Sequence, residues 1–230
     1  MGFVSHFFPN YYRKKILKTV RQSEALTHYL SQPLIDKKNL VKDVEFLVLD
    51  FETTGLDANK EKIISVGYTV IKNLHVIPSL STHILVNPKQ VLTEENVGIH
   101  QLTDDELKLG IPLTEAMDKL LLAMAGRVLI AHFDKIEKSF IYQACWSLYQ
   151  INALPMTMLD TLKIEQKKLQ KLQQHLKPES LRLFSLRDKY NLPRYKAHNA
   201  MQDAISTAEL FLAQLDYMGE KQLIKLNKLI

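Results

Sequence analysis

Short apolar runs bounded by turn residues alternate along this chain with longer stretches whose apolar residues recur at helical spacing. Three strands are predicted in succession, at Glu45 to Phe51, Ile63 to Ile71 and His75 to Val86. Two more are predicted at Arg127 to Ala131 and Met156 to Leu159. Helices are predicted at Thr114 to Met124, at Lys135 to Leu148 and in the region from Leu162 up to Leu215. Three strands followed by strands that alternate with helices indicate an α/β domain with a mixed sheet.

The ends of the chain lie outside this pattern. One N-terminal helix is predicted from Tyr11 to about Ser31, followed by a charged connector from Gln32 to Asp43. We therefore divide the chain into a basic helical extension with its connector (1–43), a main domain (44–216) and a C-terminal tail (217–230). The basic residues of the extension favour a solvated helix face over nucleic-acid contact. They are Arg13, Lys14, Lys15, Lys18 and Arg21. The same helix is a candidate docking surface for another protein.

Composition narrows the class of protein. A chain of 230 residues with 46% hydrophobic residues can bury one substantial core. The formal charge of +5 favours polyanionic partners, although many proteins share it. Cys145 is the only cysteine, which excludes an internal disulfide and favours a reducing, cytoplasmic setting. Apolar runs long enough to span a bilayer are absent from the sequence, and Met1 to Asn10 does not resemble a signal peptide.

Two pairs of residues carry candidate chemistry. Asp50 and Glu52 stand two positions apart at the end of the first predicted strand, so both side chains project from one face. Two close carboxylates repel each other unless a cation or a proton lies between them, and oxygen ligands suit Mg²⁺ or Mn²⁺. His198 and Asp203 are five positions apart and would not share a face of one regular helix. We therefore expect His198 in the loop before a helix, with Asp203 in an early turn.

The order of these residues resembles that of the DEDDh exonuclease family, typified by the epsilon proofreading subunit of bacterial DNA polymerase III. LVLDFETTGL at Leu47 to Leu56 resembles the first family motif, and HNAMQDA at His198 to Ala204 resembles the third. VGIHQLTDDEL at Val97 to Leu107 and MLDTL at Met158 to Leu162 resemble further landmarks. The resemblance extends from about Glu45 to Leu215.

The second motif departs from the family pattern, which carries an aspartate in a stretch like HNxxFDxxFL. Here the chain reads AHFDKIEKSFI from Ala131, and counting from His132 and Phe140 places Glu137 at the aspartate position. Asp134 is the alternative, three places early. Phe133 stands where the family often has asparagine.

The resemblance implies a ribonuclease H-like fold with a five-stranded mixed sheet, whose first three strands form a meander flanked by helices. It also implies 3′-to-5′ exonuclease activity with two Mg²⁺ or Mn²⁺ ions, releasing nucleoside monophosphates from single-stranded nucleic acid, DNA favoured over RNA. Asp50, Glu52, Asp203 and Glu137 would hold the ions, and His198 would act as the general base. The residues implied in substrate contact are Thr53, Thr54, Gly55, Leu56, His100 and Thr103.

Two other functions remain compatible with these residues. An oligoribonuclease-like or RNase T-like enzyme acting on RNA would share the same catalytic set, because substrate choice depends on groove shape and contacts to the 2′-hydroxyl. An inactive nucleic-acid-binding module of a polymerase assembly would account for Glu137 and Phe133. For His132 and His100, an ordinary core or loop histidine is at least as good an interpretation as substrate contact.

Overall fold

The structure, a computed structural model, describes residues 9–20, 23–88, 104–173, 177–196, 198–219 and 221–230. Its strands are β1 (Phe46–Thr53), β2 (Ile63–Lys72), β3 (His75–Leu85), β4 (Val128–Ala131) and β5 (Met158–Asp160). Its helices are α1 (Pro9–Thr19), α2 (Glu24–Ser31), α3 (Asp104–Lys108), α4 (Leu113–Met124), α5 (Lys135–Tyr149), α6 (Thr161–Lys171), α7 (Leu183–Lys189) and α8 (Ala200–Tyr217). Short 3₁₀ turns lie at Val41–Asp43, Pro178–Leu181, Lys221–Leu223 and Leu226–Lys228.

The strands form one five-stranded mixed sheet in the order β3-β2-β1-β4-β5. The β1–β2 and β2–β3 pairs are antiparallel, whereas β1–β4 and β4–β5 are parallel. This arrangement confirms the predicted mixed sheet that begins with a meander. The pairing of β1 with β4 ends at Val48 and Ile130, while β1 itself continues to Thr53. Beyond Val48, β1 is therefore paired on one side only, and this is where the acidic pair begins.

Side chains of β1 alternate between two apolar layers. Leu47, Leu49 and Phe51 pack into the layer that contains α2, α4 and α5. Phe46 and Val48 face the other layer, which contains α8. Asp50 and Glu52 continue the series of Phe46 and Val48 by the two-residue period of a strand. The acidic pair is thus directed toward α8, the helix that carries Asp203.

The predicted single N-terminal helix is wrong, because the structure has two helices, α1 and α2. Ser23 begins α2 by accepting a hydrogen bond from the backbone N–H of Leu26 at 3.1 Å. The predicted solvated face is also wrong for Arg13, which is buried and donates to the backbone carbonyl of Leu30. The extension therefore packs on the domain core, with Leu26 and Leu30 fully buried beside α4.

Residues beyond α8 also contact the core. Leu226 and Leu229 are buried in the same cluster as Phe211, and the backbone N–H of Val41 donates to the carbonyl of Ile224 at 2.8 Å. The connector and the C-terminal tail thus pack together beneath the sheet. The division into extension, main domain and tail remains a prediction, since these contacts do not define where one unit ends.

Leucines at positions 162, 169, 172 and 176 recur at helical spacing and predict one stripe that faces the core or a partner, and the structure confirms this stripe in part along α6. Leu162 and Leu169 pack against Leu181 and Leu186, but Leu172 is 56% exposed because the helix ends at Lys171. Leu176 lies outside the described residues. Across the described parts of the chain, the structure contains no helix long and apolar enough to cross a membrane.

Candidate active site

Three carboxylates from two elements converge between β1 and the start of α8. Asp50 and Glu52 come from β1 and Asp203 from the first turn of α8, and one oxygen of each lies within 4.8 Å of the others. Glu52 and Asp203 are 6% and 8% exposed. The sequence predicted that both pairs serve one site, and the structure brings these three side chains together.

Gly67 allows α8 to approach the sheet this closely. It lies on β2 directly opposite Asp50. A Cβ atom at this position would lie 2.0 Å from the carbonyl carbon of Ala200 and 2.1 Å from the backbone nitrogen of Met201. The first residues of α8 therefore rest on the bare backbone of β2, which carries Asp203 to Asp50 and Glu52. Sequence analysis missed Gly67, although a glycine inside an apolar strand is a signal for close backbone approach.

His198 lies just before α8, as the spacing to Asp203 predicted. Asn199 begins the helix by accepting a hydrogen bond from the backbone N–H of Gln202 at 3.1 Å. His198 has a φ of 66°, in the left-handed region that few residues other than glycine adopt readily. Its backbone N–H donates to Oδ2 of Asp203 at 3.0 Å, while its side chain is exposed. The backbone of His198 thus fixes the orientation of Asp203 and leaves the imidazole free to face solvent or substrate.

The electrostatics of the cluster favour a bound cation. Burial, followed by the charges of Glu137, Glu52 and Asp203, raises the pKa of Asp50 well above its ordinary value. Burial and the charge of Glu52 raise the pKa of Asp203 to about 6, although the backbone N–H of His198 opposes this rise. Oδ1 of Asp203 is buried and has no hydrogen-bond partner among the described residues. A divalent ion with oxygen ligands would neutralise these charges and satisfy that atom, so the residues present fit Mg²⁺ or Mn²⁺.

Glu137 lies in the first turn of α5 and is 3% exposed. It is outside the group of three whose oxygens lie within 4.8 Å, but its charge contributes to the raised pKa of Asp50. Burial, with further contributions from Asp160 and Asp134, raises the pKa of Glu137 to about 8. Its Oε2 atom also has no hydrogen-bond partner in the described structure. Glu137 is therefore a second buried carboxyl group, beside the cluster, that lacks a neutralising partner.

The carboxylate of Asp134, the alternative to Glu137 as the fourth acidic residue, is paired with lysines. It forms ion pairs with Lys138, one turn along α5, and with Lys163 of α6 at 2.5 Å. Asp160 at the end of β5 accepts hydrogen bonds from the backbone N–H groups of Phe133 and Asp134 at 3.0 and 3.3 Å. These contacts hold the turn between β4 and α5. They make Asp134 part of a structural network, which sequence analysis did not foresee.

His132 also has structural partners. Its Nδ1 lies 2.8 Å from Oγ1 of Thr161, and its Nε2 lies 2.9 Å from the carbonyl oxygen of Leu181. The interpretation as an ordinary core histidine accounts for both ring nitrogens.

The residues implied in substrate contact follow Asp50 and Glu52 along the chain. Oγ1 of Thr53 donates to the carbonyl of Gly55 at 2.7 Å, and the hydroxyl of Thr54 donates to Glu61. Leu56 is 78% exposed beyond this turn. These two hydrogen bonds stabilise the turn beside the acidic cluster, and the exposed Leu56 follows it. His100 and Thr103 lie outside the described residues.

A second polar pair neighbours Glu52 on the sheet. Ser65 of β2 pairs with Glu52, and its Oγ lies 2.7 Å from Nε2 of His83 on β3. Burial lowers the pKa of His83, and the charge of Glu52 acts in the opposite direction. Sequence analysis did not single out this pair, because the two residues are brought together by strand register.

Clustered carboxylates of β1 and α8 on a ribonuclease H-like sheet are typical of nucleases. Residues 47–211 match the model of the family described as Exonuclease, of the RNase T type, so the chain belongs to the exonuclease family. This match confirms the resemblance to DEDDh, epsilon-type exonucleases.

Similar proteins agree with this assignment. The chain is 29% identical over 178 residues to DNA polymerase III subunit epsilon of Treponema pallidum, covering 77% of this chain and 80% of that protein. It is 29% identical over 176 residues to DNA polymerase III PolC-type of Caldanaerobacter subterraneus, covering 76% of this chain and 12% of that protein. The chain therefore spans about an eighth of the length of the PolC-type relatives. Exonuclease X, solved with 5′-overhanging duplex DNA, has a similar fold, with a TM-score of 0.58 at 16% identity, covering 79% of this chain and 99% of that one.

Proposed function

We propose that this protein is a metal-dependent 3′-to-5′ exonuclease that removes nucleoside monophosphates from the ends of single-stranded DNA. The observation that carries the proposal is the convergence of Asp50, Glu52 and Asp203, with His198 beside them at the start of α8. Family membership supports hydrolysis of a phosphodiester.

In this proposal, Asp50, Glu52 and Asp203 would hold one Mg²⁺ or Mn²⁺ ion, and Asp50 and Glu137 would help to hold a second. When bound, such ions neutralise phosphate charge, lower the pKa of water and stabilise a leaving oxygen. The buried and unpaired oxygens of Asp203 and Glu137 support this assignment, because each lacks another partner among the described residues.

His198 acts as the general base. Its exposed imidazole accepts a proton from the attacking water, whose oxygen forms a bond to the terminal phosphorus. The bond between phosphorus and the 3′-oxygen of the preceding nucleotide breaks, and that oxygen takes up a proton. The products are a nucleoside 5′-monophosphate and a strand shortened by one residue.

The turn after β1 receives the terminal nucleotide. The backbone and side chains of Thr53, Thr54 and Gly55 contact the sugar and base, and Leu56 packs against the base. Apolar contact of this kind depends little on base identity. His100 and Thr103 are proposed to lie near the base, on the basis of the family resemblance alone.

The names of the relatives, DNA polymerase III PolC-type and DNA polymerase III subunit epsilon, support a DNA substrate. We propose a cytoplasmic location, in keeping with a single cysteine, Cys145, that is buried in the core. The outer face of the N-terminal helices, including the exposed Lys14 and Lys15, is proposed as a surface for a protein partner.

The proposal is tested with single-stranded DNA labelled at either end and a matched RNA, each incubated with Mn²⁺, Mg²⁺ or EDTA. The parent is compared with Asp50→Ala and His198→Ala. Asp216→Ala and His28→Ala are matched controls, because both residues are exposed and distant from the cluster. We expect metal-dependent shortening from the 3′ end by the parent and both controls, and none by the two site variants.

Three outcomes would change the assignment. Preferential digestion of the RNA would identify an RNA-directed exonuclease with the same catalytic residues. Binding of both nucleic acids without cleavage under any metal would identify an inactive module. Retained cleavage in Asp50→Ala would show that the acidic cluster is not the catalytic site.

A further inference from the structure

One well-formed cavity lies away from the acidic cluster. It has a volume of about 760 Å³ and is bounded by α6, the C-terminal end of α8 and the 3₁₀ turns that follow α8. Asp203 is in the first turn of the 18-residue helix α8, whereas Tyr217 is its last residue. A helix of this length is roughly 27 Å long at about 1.5 Å per residue, so the cavity and the cluster are separate sites. We call this cavity the basic groove.

Five lysines line the basic groove, and none of its described lining residues is acidic. These are Lys167, Lys168, Lys171, Lys225 and Lys228. Lys168 has an acidic neighbour, since its Nζ lies 4.0 Å from Glu165, and Lys167 donates to the backbone carbonyl of Ile230 at 2.6 Å. Lys171, Lys225 and Lys228 form no ion pair with any residue that the structure describes. The groove is therefore complementary to a negatively charged ligand.

Exposed aliphatic side chains form much of the groove surface. Leu172, Met218 and Leu223 are 56%, 43% and 64% exposed, and Ile164 and Leu229 are buried at its base. Large apolar side chains that cluster in a concave surface with a charged rim are typical of interaction sites. A simple anion would satisfy the lysines, but it would leave this apolar surface uncovered.

The chemistry of the groove favours a peptide over a nucleic acid. Single-stranded nucleic acids bind through aromatic rings on which bases stack. Tyr217 is the one aromatic residue of the described lining, and the Nζ of Lys168 already lies 4.9 Å from its ring centroid. Tyr217 also contacts Tyr190 edge to face, with ring centroids 4.8 Å apart. The remaining apolar lining is aliphatic, which suits leucine-like side chains and not base stacking.

We propose that the basic groove binds an amphipathic helix of a partner protein, with aliphatic side chains on one face and acidic residues along its flanks. Helices of this kind place apolar anchors at i, i+3 or i+4, and i+7 into a groove. The volume of 760 Å³ lies within the range of about 300–1,000 Å³ that is typical of ligand pockets. This proposal does not depend on nuclease activity, because its site shares no residue with the acidic cluster.

The test uses the full chain in EDTA and a displayed library of random 16-residue peptides. Peptides that bind the parent are counter-selected on Lys171→Glu/Lys228→Glu, and the survivors are synthesised for fluorescence anisotropy. A second variant, Leu172→Ser/Leu223→Ser, removes apolar surface at two positions that are more than half exposed. The matched control is Lys60→Glu/Lys119→Glu, which makes the same charge change at two exposed lysines outside the groove.

We expect the selected peptides to be enriched in Asp and Glu, with aliphatic residues at helical spacing. Both groove variants should weaken binding by at least about tenfold, a loss of about 1.4 kcal/mol, and the control by less than about twofold. The proposal is overturned if selection yields no acidic peptide or if the groove variants bind as tightly as the control. It is also overturned if a 20-nucleotide dT strand displaces the peptides and loses affinity in Lys171→Glu/Lys228→Glu, which would identify a nucleic-acid site.

Discussion

Replacement of Asp203 by asparagine is expected to stabilise the metal-free protein while it removes the response to divalent ions. The carboxylate of Asp203 is 8% exposed and lies beside Asp50 and Glu52, and its Oδ1 has no hydrogen-bond partner in the described structure. Asparagine retains an oxygen to accept the hydrogen bond from the backbone N–H of His198, and it adds donors that face two carboxylates. The substitution thus removes a buried charge and keeps the local geometry.

The magnitude follows from the pKa of Asp203, which is raised from 3.8 to about 6. At about 1.4 kcal/mol for each tenfold change in acid dissociation, ionising this group in the folded state costs about 3 kcal/mol. Relaxation of neighbouring groups reduces this figure, so we expect a gain of about 1–3 kcal/mol for Asp203→Asn above pH 7. For a domain of this size, roughly 2–4 °C per kcal/mol then gives a rise in Tm of about 2–12 °C.

The sign of the pH dependence is determined by the same pKa. A carboxyl group whose pKa is raised by folding binds a proton in the folded state that the unfolded chain has released. Its contribution to stability therefore falls as pH increases from 3.8 to about 6. The advantage of Asp203→Asn should be full above pH 7 and should shrink as pH falls toward 4.

The assay is thermal and urea unfolding in EDTA at pH 5 and pH 8, repeated with Mn²⁺. Asp216→Asn, an exposed residue near the other end of α8, is the matched control. Mn²⁺ should raise the Tm of the parent and of the control but leave Asp203→Asn almost unchanged. The reasoning would be refuted if Asp203→Asn were less stable than the parent in EDTA at pH 8, or if its advantage did not depend on pH.

Three further predictions follow from the same site. Gly67→Ala should destabilise the protein by about 3 kcal/mol or more and weaken Mn²⁺ binding, because the alanine Cβ would overlap the backbone of Ala200. Unchanged urea unfolding and an unchanged Mn²⁺ titration would contradict the close approach of α8. Glu137→Gln should leave the metal-free stability at pH 7 nearly unchanged, because the pKa of Glu137 is raised to about 8 and the group is already mostly neutral. Nuclease assays should nevertheless show at least about a hundredfold loss of kcat. Full activity would exclude a role of Glu137 in ion binding. His198→Ala should reduce kcat by about 10²–10⁴. The Tm increase with Mn²⁺ should persist, since the hydrogen bond from the backbone N–H of residue 198 to Asp203 is retained. Loss of both the activity and the Tm increase would indicate a structural role for His198 instead.

Local patterns in the sequence were sufficient for much of the sheet and for part of the candidate site. The alternation of side chains along β1 placed Asp50 and Glu52 on one face. The five-residue spacing placed His198 before a helix, where Asn199 begins α8. Both inferences depend only on the local backbone geometry of a few consecutive residues. For that reason, the sequence alone could support them. The catalytic roles of these residues remain predictions until activity is measured.

Other features depend on which elements meet, and only the tertiary structure decided them. The break between α1 and α2, the burial of Arg13 and the packing of Leu226 against the core all depend on contacts between distant segments. The lysine partners of Asp134 come from α5 and α6, so its exclusion from the acidic cluster required both helices.

The sequence by itself predicted the five strands along the chain, the acidic pair on β1 and the family motifs that surround them. The tertiary structure decided how closely α8 approaches β2 at Gly67, how deeply Glu137 is buried and where the basic groove forms. The physical reason is that periodicity along a chain reports which face of an element is apolar. Which surface covers that face, and at what distance, is determined by packing between residues far apart in sequence.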